Sequence, residues 1–443
     1  LHMLRSYLGD EAFFGALQHY LIKNRYRAVE IHDLRLAFVA VTGQDLHWFF
    51  NQWFLASGHP QLRVQYHYDD STREQTVTIS QEQDLNHTPL YRLPLEVDVY
   101  SNGQATRHQI VLEQRKTTFR FPAAGVPDLV NVDAKQALLG VINDEKTSAQ
   151  WAYQYAHAPL YMDRYLAIKN GSGDAESDSL CAEMMVNAMR DPNPRLRQMA
   201  VSRINPDAFG HRDAIRNRLI FLAETDEEAA VRAGALAALQ EHYQDPSLIN
   251  VYLKAMKDES YAVLANGLRA LTEVEPDAAL AAAQPLETTH QPPVIYAIAG
   301  LYAQHGADEQ NAFFKESFNH LSEYSSIGLI ATYRKFLRSG KSDEVVREGL
   351  RVFDGIARES SAWWIRYYGI EAIQGFAAQY SEEAHTINQD LARLEGKENS
   401  SLEQEDLQTA LVRVQAQQQF INELLAGIKA QESDEKLLKL LGD

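Results

Sequence analysis

The chain has 443 residues, 45% hydrophobic and 23% charged, an ordinary composition that allows about three domains with sizeable cores. Its 42 Lys and Arg against 60 Asp and Glu give a formal charge of −18, which excludes the broad basic footprint needed for nucleic acid or an anionic membrane as main partner. The single cysteine, Cys181, excludes an intrachain disulfide and a Cys-rich zinc site.

One cysteine fits a reducing compartment, which favours a soluble protein of the cytoplasm over one of the periplasm. No run approaches the roughly 18 apolar residues of a membrane helix. The start, Leu1-His2-Met3-Leu4-Arg5, has no signal-peptide character. It begins without Met and without a capping residue, so the expectation is that Leu1 lies inside a longer polypeptide.

Residues 1–57 read as helices. Asp10 is placed to cap the first clear one, whose apolar positions are Phe13, Phe14, Leu17, Tyr20 and Leu21. Asp33 is placed to cap a second, carrying Leu34, Ala37, Phe38 and Val41 and ended by Gly43. Asp45 is placed to cap a third, with Leu46, Phe49, Phe50, Trp53 and Phe54 on one buried stripe. Gly58-His59-Pro60 stops it. The aromatic stripe reads as core packing before it reads as a pocket wall.

At residue 61 the period changes from that of a helix to two. Alternating runs fall at Leu62–Tyr68, Val77–Ile79, Leu95–Val99, Ile110–Leu112, Phe119–Phe121 and Val130–Val132. Turn residues such as Asp69-Asp70-Ser71 and Ser101-Asn102-Gly103 divide them. That pattern predicts a β-sandwich.

From about residue 144 the pattern is helical again. Three segments align, beginning at Asp191, Asp226 and Asp258. Each has an aliphatic residue five on (Leu196, Val231, Val263), a small one nine on (Ala200, Ala235, Gly267) and an aliphatic one thirteen on (Ile204, Leu239, Leu271). Read physically, the Asp caps a helix, the aliphatics line the inner stripe, and the small residue admits a partner helix. This predicts an α-solenoid of HEAT type. Gly171–Asp174 and Gly396–Ser401 read as loops, and Leu402–Ala430 as a long Gln-rich helix with Leu407, Leu411, Val414 and Phe420 on one side.

No complete catalytic site stands in the sequence. No two of the 15 histidines stand three or four apart, so there is no H-E-x-x-H helix. Ser339-Gly340-Lys341-Ser342 lacks the first glycine of a phosphate loop and follows a helix, so it reads as a helix end and turn. Cys181 has no partner for a redox motif and reads as a small buried residue. Trp363-Trp364 with Arg366, Tyr367 and Tyr368 reads as an interhelical core or interface.

Read as a string, Leu1-His-Met-Leu-Arg-Ser-Tyr-Leu-Gly-Asp-Glu-Ala-Phe-Phe14, Ile31-His-Asp-Leu34, Asp45-Leu-His-Trp-Phe-Phe-Asn-Gln-Trp-Phe54 and Gly58-His-Pro60 resemble the aminopeptidase N-type zinc aminopeptidases, a gluzincin family. The resemblance implies a mainly α, multidomain chain. Residues 1–58 are the C-terminal helices of a thermolysin-like catalytic domain, 59–142 a β-sandwich and 143–443 a HEAT-like helical repeat domain. The family's H-E-x-x-H motif, its G-x-M-E-N strand and its catalytic Tyr all lie upstream of the segment that Leu1 resembles. No catalytic, cofactor-binding or metal residue is therefore carried onto this chain.

Zinc belongs to the full-length parent, as do peptide substrates. The partners implied are the upstream domains of the same polypeptide, with no nucleic acid and no membrane span. The implied role is to shape and gate the peptide cavity of an aminopeptidase while being inactive alone. Two other readings stand beside it: a non-catalytic HEAT scaffold related to the family, and an independent hydrolase built from distant histidines. Because the aromatic stripe matches one that packs on a catalytic domain, an exposed apolar patch is expected on residues 1–57.

Overall fold

The computed structural model describes residues 1–174, 178–207, 211–394 and 401–442. Helices α1 (His2–Leu8), α2 (Asp10–Lys23) and α3 (Ile31–Thr42) pack around Leu4, Phe13 and Phe38. Asp10 does not cap α2. Gly9 holds that position with φ +81°, a conformation glycine adopts without steric cost, and Asp10 pairs with Arg5 at 2.7 Å. Asp33 sits in the first turn of α3, where its carboxylate accepts from the Glu30 backbone N–H at 2.9 Å. It is therefore the returning half of a reciprocal cap.

Helix α4 (His47–Phe50) runs into a π-helical turn, Asn51–Leu55. Leu46, Phe49 and Phe50 are buried, but the wider turn re-phases the side chains beyond Phe50. Trp53 stands with its ring 5.0 Å from Tyr91. Gln52 turns inward, and its amide exchanges two hydrogen bonds with the Arg92 backbone, at 2.9 and 3.0 Å. The aromatic stripe is thus covered within the chain, which corrects the expectation that it is bare. The exposed apolar side chains of this segment include Phe14, Leu21, Ile22, Tyr26, Leu36 and Leu55.

Strands β1 (Gln61–Asp69), β2 (Glu74–Gln81), β3 (Leu93–Ser101), β4 (Gln104–Leu112), β5 (Lys116–Pro122) and β6 (Leu129–Val132) fall on the six alternating runs. A seventh, β7 (Val141–Asp144), lies parallel to β1 with Val141 opposite Gln61. One sheet has the order β5-β2-β1-β7 and the other β4-β3-β6. Leu62, Val64, Val77 and Ile79 of the first share a core with Leu93, Val97, Ile110 and Val130 of the second. Polar residues alternate outward on these strands, as expected when each sheet buries one face.

The remainder is helical. First come α5 (Ser148–His157), α6 (Tyr161–Gly171), α7 (Ser179–Ala188), α8 (Pro194–Val201) and α9 (Arg212–Thr225). Then follow α10 (Ala229–His242), α11 (Ile249–Ala255), α12 (Tyr261–Val274), α13 (Pro276–Ala283), α14 (Pro292–His305) and α15 (Asn311–Ser317). The last are α16 (Glu323–Arg338), α17 (Asp343–Glu359), α18 (Trp363–Leu394), α19 (Ser401–Gln431) and α20 (Glu435–Leu440). The loop expected at Gly396–Ser401 lies outside the described residues up to 400, and Ser401 opens α19. The described chain divides into two compact units, Leu1–Ile215 and Arg216–Asp443. Among the described residues no helix is long and apolar enough to cross a membrane.

All nine positions of the aligned segments are buried. At Gly267 an added Cβ would stand 2.8 Å from the Ala255 Cβ, so α11 and α12 approach more closely than a larger residue allows. The aspartates, however, are not the N-caps. Asn193 caps α8, and Asp191 accepts from the Asn193 backbone N–H at 2.8 Å. Asp258 does the same with Ser260 at 2.8 Å.

Both aspartates also take an arginine: Arg164 reaches the other oxygen of Asp191 at 2.9 Å, and Arg232 forks onto the two oxygens of Asp258 with bonds of 2.8 Å. Arg232 also donates to the carbonyls of Asp226 and Glu227, in the turn before its own helix. Each of these arginines therefore ties its helix to the turn that opens a later one.

The Trp363–Tyr368 cluster is an interhelical interface more than a core: Trp364 stands edge-on to Tyr324 of α16 at 6.0 Å, and Arg366 pairs with Glu432 at 2.8 Å. Ile365, Gly369 and Ile370 are the buried members of this turn of α18. Trp363 and Tyr367 are 41% and 36% exposed, and Lys436 Nζ stands 4.7 Å over the Trp363 ring. Spacing cannot distinguish an aromatic face turned outward from one turned inward. On α19 the buried line is Leu411, Val414, Gln417, Ile421 and Ile428, while Phe420 is half-buried beneath Arg347 and Arg351.

Candidate functional site

Within the unit Leu1–Ile215, a cavity of about 250 Å³ opens between the N-terminal helices and the sheet carrying β3 and β4. Helix α1 contributes Met3, Ser6 and Tyr7, and the α4 region contributes Trp48, Phe49 and Trp53. The opposite wall comes from Arg92 to Glu96 on β3 and its entry, and from Gln109 to Val111 on β4. The loop after β6 closes one end with Asp133, Lys135, Ala137 and Leu138. Trp48 is held edge-on to Tyr7 at 5.6 Å and faces the Arg92 guanidinium at 4.8 Å. Part of the aromatic stripe read as core is therefore also a cavity wall.

The polar groups of the cavity are largely spoken for. Arg92 pairs with Glu113 at 2.9 Å, and Glu96 with Lys135 at 2.6 Å. Asp133, with φ +56°, turns its carboxylate back onto its own loop, accepting from Ala137 N–H at 3.1 Å and Leu138 N–H at 2.9 Å. Burial pushes its pKa up to about 6 against these two bonds, and the nearby Asp163 adds to the rise. The lining holds no histidine and no cysteine; its apolar side chains Met3, Trp48, Trp53, Leu95 and Val111 stand beside paired charges, with the Asp133 carboxyl at one end. That is the character of a binding cleft.

Behind the sheets a buried polar chain joins them to the first helix pair. Lys146, 2% exposed at its side chain, donates to Asp144 at 2.7 Å and to Gln154 at 2.8 Å. Tyr66 of β1 donates to the other Asp144 oxygen at 2.6 Å, and burial beside that carboxylate raises the phenol's pKa well above its usual value. Gln154 donates to the Asp163 carbonyl at 2.9 Å, and the Asp163 carboxylate accepts from Asn131, Gln136 and the Leu160 N–H. Every member is satisfied, which is the condition under which a buried network stabilises.

The other residues singled out in the sequence do not converge. Cys181 is buried in α7, and burial raises its thiol pKa to about 11, a value at which it is an inert thiol. Ser339–Ser342 is a helix end and turn: Gly340 has φ +75° and Ser342 caps α17. The rings of His290 and His320 stack at 3.6 Å, thirty positions apart, with His320 on Glu316 at 3.0 Å. Among the described residues no group of three or more His, Cys, Asp or Glu is arranged to hold a metal ion.

No family model matches the chain. Part of it is 30% identical over 108 residues to an aminopeptidase N of Haemophilus influenzae, a stretch covering 23% of this chain and 12% of that protein. Another match, 35% identical over 83 residues, is to an aminopeptidase N of Lactococcus lactis subsp. lactis, covering 19% of this chain and 9% of the relative. A third, 28% identical over 125 residues, is to a leucyl aminopeptidase of Saccharolobus solfataricus, covering 27% and 15%.

Among solved structures, the fold matches Legionella pneumophila aminopeptidase A, determined in complex with aspartic acid, with a TM-score of 0.54 at 13% identity. That match covers 99% of this chain and 55% of the other, so the chain spans about half the length of its structural neighbour. At that identity the likeness is one of fold. The partial sequence matches, all to aminopeptidases, together with this shared fold relate the chain to the aminopeptidase family.

Proposed function

We propose that this chain is the C-terminal portion of a zinc-dependent metallo-aminopeptidase that removes N-terminal residues from peptides. In this reading the chain shapes and gates the peptide cavity, and the catalytic and metal-binding residues belong to sequence upstream of Leu1. The observation that carries it is the agreement of three curated partial matches on aminopeptidases. A fold correspondence running along 99% of the chain supports it.

On this reading residues 1–58 are the closing helices of a thermolysin-like domain, 59–142 a β-sandwich and 143–443 a HEAT-like array. Two features agree with it. The arginine ties onto Asp191 and Asp258 recur as repeat-to-repeat contacts should. The exposed Phe14, Leu21, Ile22 and Leu36 form the kind of surface that an upstream domain would cover.

The test is turnover of a panel of chromogenic amino-acid amides, with bound zinc quantified on the same sample. The expected result is no turnover and no stoichiometric zinc for this chain, and both for the full-length gene product. Turnover by this chain alone that a chelator abolishes refutes the reading, and a full-length product without zinc or activity points to the non-catalytic scaffold.

A further inference from the structure

The cavity between the N-terminal helices and the sheet of β3 and β4 has its charges matched within the chain. Arg92 stands on Glu113 at 2.9 Å. Glu96 stands between Lys135 at 2.6 Å and Arg107 at 3.0 Å. The Asp133 carboxylate is taken by the Ala137 and Leu138 N–H groups of its own loop. A charged ligand would meet a wall whose counter-charges are already engaged, and would give up its hydration without return.

What the wall leaves uncommitted is neutral. Four aromatic side chains line the space: Tyr7, Trp48, Phe49 and Trp53. Tyr7 and Phe49 both stand edge-on to Trp48, at 5.6 and 5.5 Å. The Trp53 indole N–H is buried and meets no acceptor. Among the described residues it is the one buried donor of the lining without a partner. A buried donor keeps its full desolvation cost until an acceptor reaches it.

These features define a ligand. The aromatic side chains favour a ring, set face-on or edge-on to theirs. The indole calls for a carbonyl oxygen, since an indole donates and never accepts. The matched charges call for a molecule without net charge. About 250 Å³ is the small end of ligand cavities and suits one or two rings.

We propose that this cavity binds a neutral aromatic amide or lactam, with its ring among Tyr7, Trp48 and Phe49 and its carbonyl oxygen accepting from the Trp53 indole N–H.

The test is NMR of the whole chain with its tryptophans labelled with nitrogen-15, titrated with benzamide, benzoate and benzylammonium. The three probes share one ring and differ in charge. The five tryptophans give five indole signals, assigned by single Trp→Phe variants. Benzamide is expected to bind about tenfold tighter than either charged probe. It should move the Trp53 indole proton downfield as the hydrogen bond forms, and shift Trp48 by its ring current. W53F keeps a ring but removes the donor, and should weaken benzamide about tenfold. V111F, at a half-exposed position of β4, should fill the cavity and abolish the shifts while the other indole signals stay in place. A charged probe that binds as tightly as benzamide overturns the proposal. So do benzamide shifts that spare Trp48 and Trp53 or persist in V111F, and so does no binding of benzamide. Neither turnover nor zinc is read, so these outcomes are separate from those that decide the aminopeptidase reading.

Discussion

Asp133 allows the electrostatics of the cavity to be tested by stability. Its carboxyl is 6% exposed as a residue, and burial raises its pKa from 3.8 to about 6. A shift of roughly two units corresponds to about 3 kcal/mol of differential interaction between the two protonation states. The folded value lies above the unfolded one, so the folded protein holds this proton more tightly. The stabilisation is fully present below about pH 4 and is lost as pH rises through about 6.

Asp133→Asn removes the charge but keeps one acceptor oxygen, so it surrenders one of the two bonds from Ala137 and Leu138, at a cost of about 1 kcal/mol. The variant should therefore be less stable than its parent by about 1 kcal/mol at pH 4 and more stable by about 2 kcal/mol at pH 7.5. The assay is urea unfolding of the unit Leu1–Ile215 at both pH values, followed by hydrogen-exchange protection of the β3 segment Leu93–Ser101. A difference between variant and parent that does not change sign or size across this range refutes the reasoning.

Further outcomes are expected in the same unit. Lys146→Met leaves Asp144 buried without its cation and should cost about 3–5 kcal/mol, whereas the double variant with Asp144→Leu should cost less than the sum of the two single changes in a urea-unfolding cycle. Gln52→Ala breaks both bonds to the Arg92 backbone and should cost about 1–3 kcal/mol, with a shift in tryptophan emission as Trp53 loosens against Tyr91. In the second unit, Gly267→Val forces α11 and α12 apart and should cost about 1–3 kcal/mol, read as a lower melting temperature by calorimetry. Replacing Phe14, Leu21 and Ile22 together with Ser should reduce binding of an apolar dye and any self-association seen by light scattering.

Much of the fold was legible because it follows from periodicity. The alternation of Leu62, Val64, Val77 and Ile79 reported one buried face per strand, and the spacing of Val231, Ala235 and Leu239 reported a buried helical stripe. What escaped was set by partners distant in sequence. Strand β7 turns only Ile142 and Asp144 inward, an alternation four residues long and half polar, so it was too short to read as a strand. Gln52 reads as a polar gap in an apolar helix until the π turn points it at Arg92.

The aspartates of the repeats were visible, but their role was assigned to the nearest helix start. The arginines that use Asp191 and Asp258 come from earlier helices, and only packing brings them there. Of the candidate sites, the cavity was half-legible. Its aromatic wall lies in one string, while Asp133 and Lys135 reach it from a loop some eighty residues on.

The polar chain from Tyr66 through Asp144, Lys146 and Gln154 to Asp163 has a mechanical consequence. It crosses from strand to helix through charged and amide groups that have no water to turn to, so any rotation of α5 or α6 against the sheets would strand several of them at once. That penalty rises steeply with displacement, so this junction behaves as a weld. The first helix pair is thereby tied to the sheets, and a displacement of α6 is resisted by groups on β1 and β7. Flexing within Leu1–Ile215 is left to segments without such a network.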